Sequence, residues 1–222
     1  MLRVAHSALL VHATLPPLMV DLARSQLQYA DHLLRKAESG EVTYEGEDRE
    51  WLLALTDHMH STLDAISPGA LDPEGRFIDE GLWRTELGRR YLEGQGRALG
   101  HGAVIRRIFL LDHENLLTDP DFREIHDQQA RMGIKVRVIT QSESRIVGGP
   151  LMSHFILFDG VISYESELAQ TKDVPRVPPI YIRTHLFLDR QRIGRQQRRF
   201  EALWSAAHEL GPSDHRASTR SA

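Results

Sequence analysis

Two stretches constrain this chain more than any others: GHGAVIRRIFLL at 100–111 and QQARMGIKVRVI at 128–139. Each runs from a helix-compatible segment through a glycine into a short apolar run. Glycine closes a helix because it adopts the left-handed conformation without a side-chain clash. A bounded run of apolar, β-branched residues behind it reads as a strand. Two such units in succession, with a helix between them, imply a crossover and therefore a parallel strand pair.

The rest of the chain is read outward from this pair. LDAIS (63–67) is a strand that enters a loop at Pro68-Gly69, and 70–81 read as loop. LWRTELGRRYLEGQGRAL (82–99) reads as a helix in spite of its glycines, and VIRRIFLLD (104–112) as a strand. A helix from Asp119 to Met132 carries Pro120 in its first turn, and IKVRVIT (134–140) is the next strand. Residues 141–150 read as a Ser/Gly/Pro loop. HFILFD and VISYE flank Asp159-Gly160, a hairpin signal. A Pro-rich loop (166–179), a strand (180–187) and a helix (190–210) follow; that helix buries Ile193, Phe200, Leu203, Trp204, Ala207 and Leu210. Upstream, Leu18, Leu22, Leu27, Tyr29, Leu33 and Leu34 mark a helix over 18–38. Trp51, Leu52, Leu55, Met59 and Leu63 mark another over 48–63. The expectation is an α/β fold, a mostly parallel mixed sheet flanked by helices, with an N-terminal helical pair. It divides into a helical extension (1–47), an α/β domain (48–210) and a disordered tail (211–222).

A chain of 222 residues buries a core without cross-links. A net charge of −4 creates no general attraction to nucleic acid or to a membrane surface. The absence of cysteine excludes disulfides, thiolate nucleophiles and Cys-type zinc sites, and fits a cytoplasmic setting. No apolar run approaches the roughly 18 residues that span a bilayer. The N-terminal apolar run is interrupted by His6 and His12 and followed by Pro16-Pro17, so it is not read as a signal peptide.

With LMSHFILFDG (151–160) following the two helix–Gly–strand units, residues from about 50 to 210 resemble one half of a phospholipase D-like fold. That superfamily carries H-x-K-(x)4-D at such a strand. Laid over it, this stretch keeps the acid as Asp159, has His154 in place of the Lys, and has Met152 in place of the His. The resemblance implies a His nucleophile attacking phosphorus, a second His as proton donor, a phosphate-binding Lys, and two copies of the motif in one chain or across a dimer. Here one copy is present, and Met152 can act neither as nucleophile nor as base. The resemblance therefore points to the non-catalytic relatives found in bacterial regulatory and sensory proteins. The function expected is a module, homodimeric, that binds a small anionic ligand or a protein partner, with no cofactor. An enzyme of altered phosphodiesterase chemistry is the alternative, with His154 and Asp159 as acid–base pair and Arg145 as anion clamp.

Ligands of open α/β sheets bind beyond the carboxyl ends of the strands. That rule selects Ser67, Asp112, His113, Ser142, Arg145, His154 and Asp159 as pocket residues, with His126 and His185 as histidines that could approach His113. In DHMH (57–60), His58 and His60 are two apart and point about 200° from each other on a helix, so they do not share a metal. No metal site is expected. Trp51, Trp83 and Trp204 sit at apolar helical positions and read as core. Between Arg183 and Arg199 the chain is strongly basic. Arg192, Arg195 and Arg199 form a helical ridge suited to nucleic-acid phosphates or an acidic partner, a third reading of the function.

Overall fold

The computed structural model describes residues 16–45, 49–71, 77–78, 82–148, 154–168 and 181–211. The chain divides into two compact units, Met1–Val42 and Thr43–Ala222. The described part of the first unit is dominated by α1 (Pro17–Glu38), which opens on a proline and ends with Arg35 and Lys36 in its last turn. Those cations suit the negative end of the helix dipole.

The sheet is eight-stranded among the described residues. Its strands are β1 (Glu41–Glu45), β2 (Thr62–Leu71), β3 (Phe77–Ile78), β4 (Val104–Leu111), β5 (Lys135–Thr140), β6 (His154–Phe158), β7 (Ile162–Leu168) and β8 (Tyr181–Phe187). Their order is β1-β8-β7-β6-β2-β4-β5, with β3 on β2. The β2–β4 and β4–β5 pairs are parallel. The β2–β6, β6–β7, β7–β8 and β2–β3 pairs are antiparallel. The expected α/β mixed sheet is present, but its balance is antiparallel rather than mostly parallel. The cause lies at Asp159-Gly160. Both take positive φ, 51° and 65°, and such a tight turn forces β7 back alongside β6.

Two further boundaries differ from expectation. β2 runs on through Pro68-Gly69, which pair with Leu110 and Leu111. The carbonyls of Ser61 and Gly69 accept from β4 and its continuation, so alternate residues between them face the same edge. Pro68 therefore turns its nitrogen the other way, where no ladder donor is missed. Residues Gln141–Gly148, read as loop, are helix α5. Thr140 and Glu143 explain it: the Glu143 carboxylate accepts from the Thr140 N–H (2.9 Å), and Thr140 Oγ1 accepts from the Glu143 N–H (3.4 Å). This reciprocal pair is a capping box, which starts a helix even in a Ser/Gly-rich sequence.

Helices cover both faces of the sheet. On one lie α2 (Arg49–His58), α3 (Glu86–Gly100) and α4 (Pro120–Arg131), whose Leu53, Tyr91 and Phe122 pack on Leu63, Ile105, Phe109 and Val138. On the other, α6 (Arg190–Ala206) sets Ile193, Phe200 and Leu203 against Ile66, Ile108 and Phe155. Period-2 alternation along β4 supplies both: Ile105, Phe109 and Leu111 face one core, Ile108 and Leu110 the other. Two of the glycines of α3, Gly88 and Gly94, have packing reasons. A Cβ on Gly88 would lie 1.9 Å from the Leu82 carbonyl oxygen, and one on Gly94 2.9 Å from Thr56 of α2. They let the chain cross itself closely at a propensity cost of about 1 kcal/mol each.

Candidate functional site

The parallel strands end together. Gly69, Leu111 and Thr140 lie side by side in register, and the chain leaves each strand at the same edge of the sheet. Ser67 is half-buried on β2, two residues before that edge. Asp112 is the first residue past β4, with its N–H on the Gly69 carbonyl (3.0 Å) and its side chain exposed. His113, also exposed, precedes a short 3-10 helix, Glu114–Thr118. Ser142 and Arg145 stand on α5: Ser142 Oγ meets Thr140 Oγ1 (3.0 Å), and Arg145 donates to the Gln141 side-chain carbonyl (3.3 Å). Glu143 ties this edge together. Hydrogen bonds from the Thr140 backbone and side chain hold its carboxyl below the usual range, with His208 adding a contact at 3.2 Å. Five of the seven pocket residues selected from the sequence thus share one end of the sheet, where Arg145 supplies a guanidinium, His113 an imidazole, and Ser67 and Ser142 hydroxyls; Asp159 does not join them.

The degenerate motif does not assemble there. β6 runs antiparallel to β2, so the His154 backbone is level with Ser67, while Asp159 lies beyond Phe158 at the far end. Five residues of strand separate the two by about 16 Å. They form no acid–base pair, a correction forced by strand geometry, and Arg145 is at the edge remote from Asp159. Met152 lies outside the described residues, as does the His154 side chain. The Asp159 carboxylate has a different task. It accepts from the N–H groups of His60 (2.9 Å), Ser61 (2.8 Å) and Thr62 (3.0 Å) and from the Ser61 hydroxyl (3.0 Å). Burial pushes its pKa up, but these donors outweigh it and hold it below its ordinary value. Asp159 is the clasp that fixes the β6–β7 turn on the start of β2.

The basic ridge is also reassigned. Arg192 lies over the Phe187 ring and donates twice to Glu165 (3.1 and 2.7 Å). Gln196 and Ser163 donate to the same carboxylate at 3.0 Å. Burial raises the Glu165 pKa, and these donors bring it below the usual range. Arg199 is half-buried and also feels Glu165; Arg195 alone of the three is exposed. The physical reason is that one β7 carboxylate, buried under α6, requires cations from that helix. The histidines have partners of their own: His126 is buried in α4 on Asp127 (2.9 Å), and His185 on β8 bonds Thr43 (3.1 Å). Among the described residues no group of three His, Asp or Glu side chains could hold a metal, and no helix is long and apolar enough to cross a membrane.

No family model and no curated protein matches the chain. Solved structures do. Nuc, a phospholipase D family member from Salmonella typhimurium, is 11% identical with a TM-score of 0.49, covering 77% of this chain and 98% of that one. NucT from Helicobacter pylori is 8% identical with a TM-score of 0.48, again over 77% and 98%. TrmBL2, an archaeal chromatin protein, is 11% identical with a TM-score of 0.46, over 87% of this chain and 65% of that one. The first of these bears the name of the family that the 151–160 stretch resembles.

Sequence reasoning missed a buried polar cluster. Arg107, in the middle of β4, is fully buried. It donates to Gln129, Gln95 (3.1 Å) and Tyr91 (3.3 Å) and lies 4.5 Å from the Trp83 ring. Desolvation lowers its pKa, and no carboxylate among the described residues offsets that. The signal was the Arg106-Arg107 pair: consecutive strand residues face opposite sides, so in a sheet covered twice both arginines need partners. Arg106 finds Asp64 (2.7 Å) and Glu201 (2.7 Å) on the α6 side. A groove of about 570 Å³ between α3 and α4, bordered by Trp83, Arg89 and Gln128, lies nearby. Its Arg84 and Arg89 are paired with Asp121 and Glu86.

Proposed function

We propose that this chain is a non-catalytic module of phospholipase D-like fold that binds a small anionic ligand, or an acidic group of a protein partner, in regulation or signalling. The contact surface is the carboxyl edge of β2, β4 and β5, with Arg145 as the cationic group, His113 as an imidazole donor, and Ser67 and Ser142 as hydroxyl donors. One observation carries the non-catalytic reading: the acid that survives from H-x-K-(x)4-D is bonded to three backbone N–H groups at the opposite edge. A carboxylate held in that way is committed to fixing the β6–β7 turn on the start of β2. The basic ridge adds little to a nucleic-acid reading, because Arg192 and Arg199 are drawn to Glu165.

The test has two arms. Inorganic pyrophosphate titrated into the full chain, followed by backbone amide NMR, is expected to shift signals of Asp112–Glu114 and Gln141–Arg145, with a response weakened about tenfold in Arg145→Ala, the loss of one charge-assisted contact. Perturbation elsewhere or none removes the proposed edge. In parallel, bis-p-nitrophenyl phosphate is expected to show no turnover above the buffer rate. Hydrolysis that disappears in His154→Ala would overturn the non-catalytic reading.

A further inference from the structure

α1 has 22 residues and buries none of them, although Leu27 and Leu34 are 43% and 55% exposed. Exposed apolar faces of this kind mark contact surfaces. The sequence of α1 carries a strict seven-residue repeat: Val20, Leu27 and Leu34, with Ala23, Ala30 and Ala37 three residues after each. This is the a/d seam of a two-stranded coiled coil, with a large residue at every a position and alanine at every d.

The order of large and small residues selects an orientation. In a parallel pair, each layer joins identical residues, so Leu–Leu layers alternate with Ala–Ala layers. Helices held apart by leucines then leave voids at the alanines. In an antiparallel pair, each a faces a d of the other helix. Val20 meets Ala37, Leu27 meets Ala30 and Leu34 meets Ala23, and two-fold symmetry repeats the three contacts. All six layers then hold one large and one small side chain, so one interaxial distance serves the whole seam. The charged flank agrees. Arg24 and Asp31, at e positions, come opposite each other on both sides of the axis. They extend the pairs that each already makes within its own helix, with Asp21 (2.9 Å) and Arg35 (2.8 Å). The other flank, Met19, Gln26 and Leu33, carries no charge and widens the apolar contact.

We propose that α1 pairs with α1 of a second copy of the chain as an antiparallel two-stranded coil. The contact is self-complementary and closed by a two-fold axis between Leu27 and Ala30.

The test uses the full chain. Sedimentation equilibrium is expected to show a reversible dimer. Leu27→Glu, which keeps helix propensity, is expected to weaken it at least tenfold, while Leu22→Glu, outside the seam, leaves it unchanged. The orientation is read separately. The chain has no cysteine, so Val20→Cys and Ala37→Cys each carry a single thiol. Antiparallel pairing predicts a disulfide when the two variants are mixed and oxidised, and none in either alone. A chain that stays monomeric to about 100 µM, or a dimer insensitive to Leu27→Glu, overturns the pairing. Cross-linking of either variant alone, without the mixed product, overturns the orientation.

Discussion

Asp159 shows how one residue changes meaning between motif and molecule. As a letter in H-x-K-(x)4-D it suggests chemistry; as a carboxylate it caps the N–H groups that open β2. Its positive φ allows a clean test, because asparagine tolerates the left-handed region almost as well. Asp159→Asn therefore keeps the turn and weakens the acceptor. It is expected to lower stability by about 1–2 kcal/mol, read as a lower urea midpoint at an unchanged slope. The lowered carboxyl also sets a sign for pH. Its contribution is complete above the unfolded pKa of about 3.9 and is lost as pH falls through the lower folded value, so the difference between wild type and Asp159→Asn narrows in acid. Arg107 is the opposite case, a cation legible in the sequence whose partners, Gln95, Gln129, Tyr91 and Trp83, come from three separate segments.

At the scale of elements, α5 rests on two side chains. Thr140 and Glu143 satisfy each other's backbone N–H, so removing either breaks the same box. Thr140→Ala and Glu143→Ala are each expected to cost about 1 kcal/mol, and the double variant clearly less than their sum. Additive effects in a double-mutant cycle would mean the box is not the helix start. The T-x-x-E signature was present in TQSE; the glycines and Pro150 behind it suggested loop. The long helices and β4 to β8 were legible because their apolar periodicity is strong. The end of β2 was not, because Pro68-Gly69 is a loop signal unless a neighbouring strand supplies the other half of the ladder.

At the scale of the whole molecule, Glu165 is a buried tie between the sheet and a covering helix of the second unit. It joins β7 to α6 through Arg192 and Gln196 under a buried roof. Glu165→Ala leaves Arg192 and Gln196 without that acceptor and is expected to destabilise by about 2–3 kcal/mol, seen as a lower melting temperature at pH 7. Because the Glu165 carboxyl is held low, its contribution declines as pH falls below the unfolded value of about 4.3, and the two melting curves converge in acid. The sequence by itself determined the long helices, strands β4 to β8, the hairpin turn, the parallel crossover pair and the heptad repeat of α1, because each depends on residues close in the chain. Only the tertiary structure decided that Asp159 and His154 stand at opposite ends of β6, that the sheet is mainly antiparallel, and that Arg192 serves Glu165. Those outcomes depend on which strands become neighbours, and long-range pairing leaves no local periodic trace.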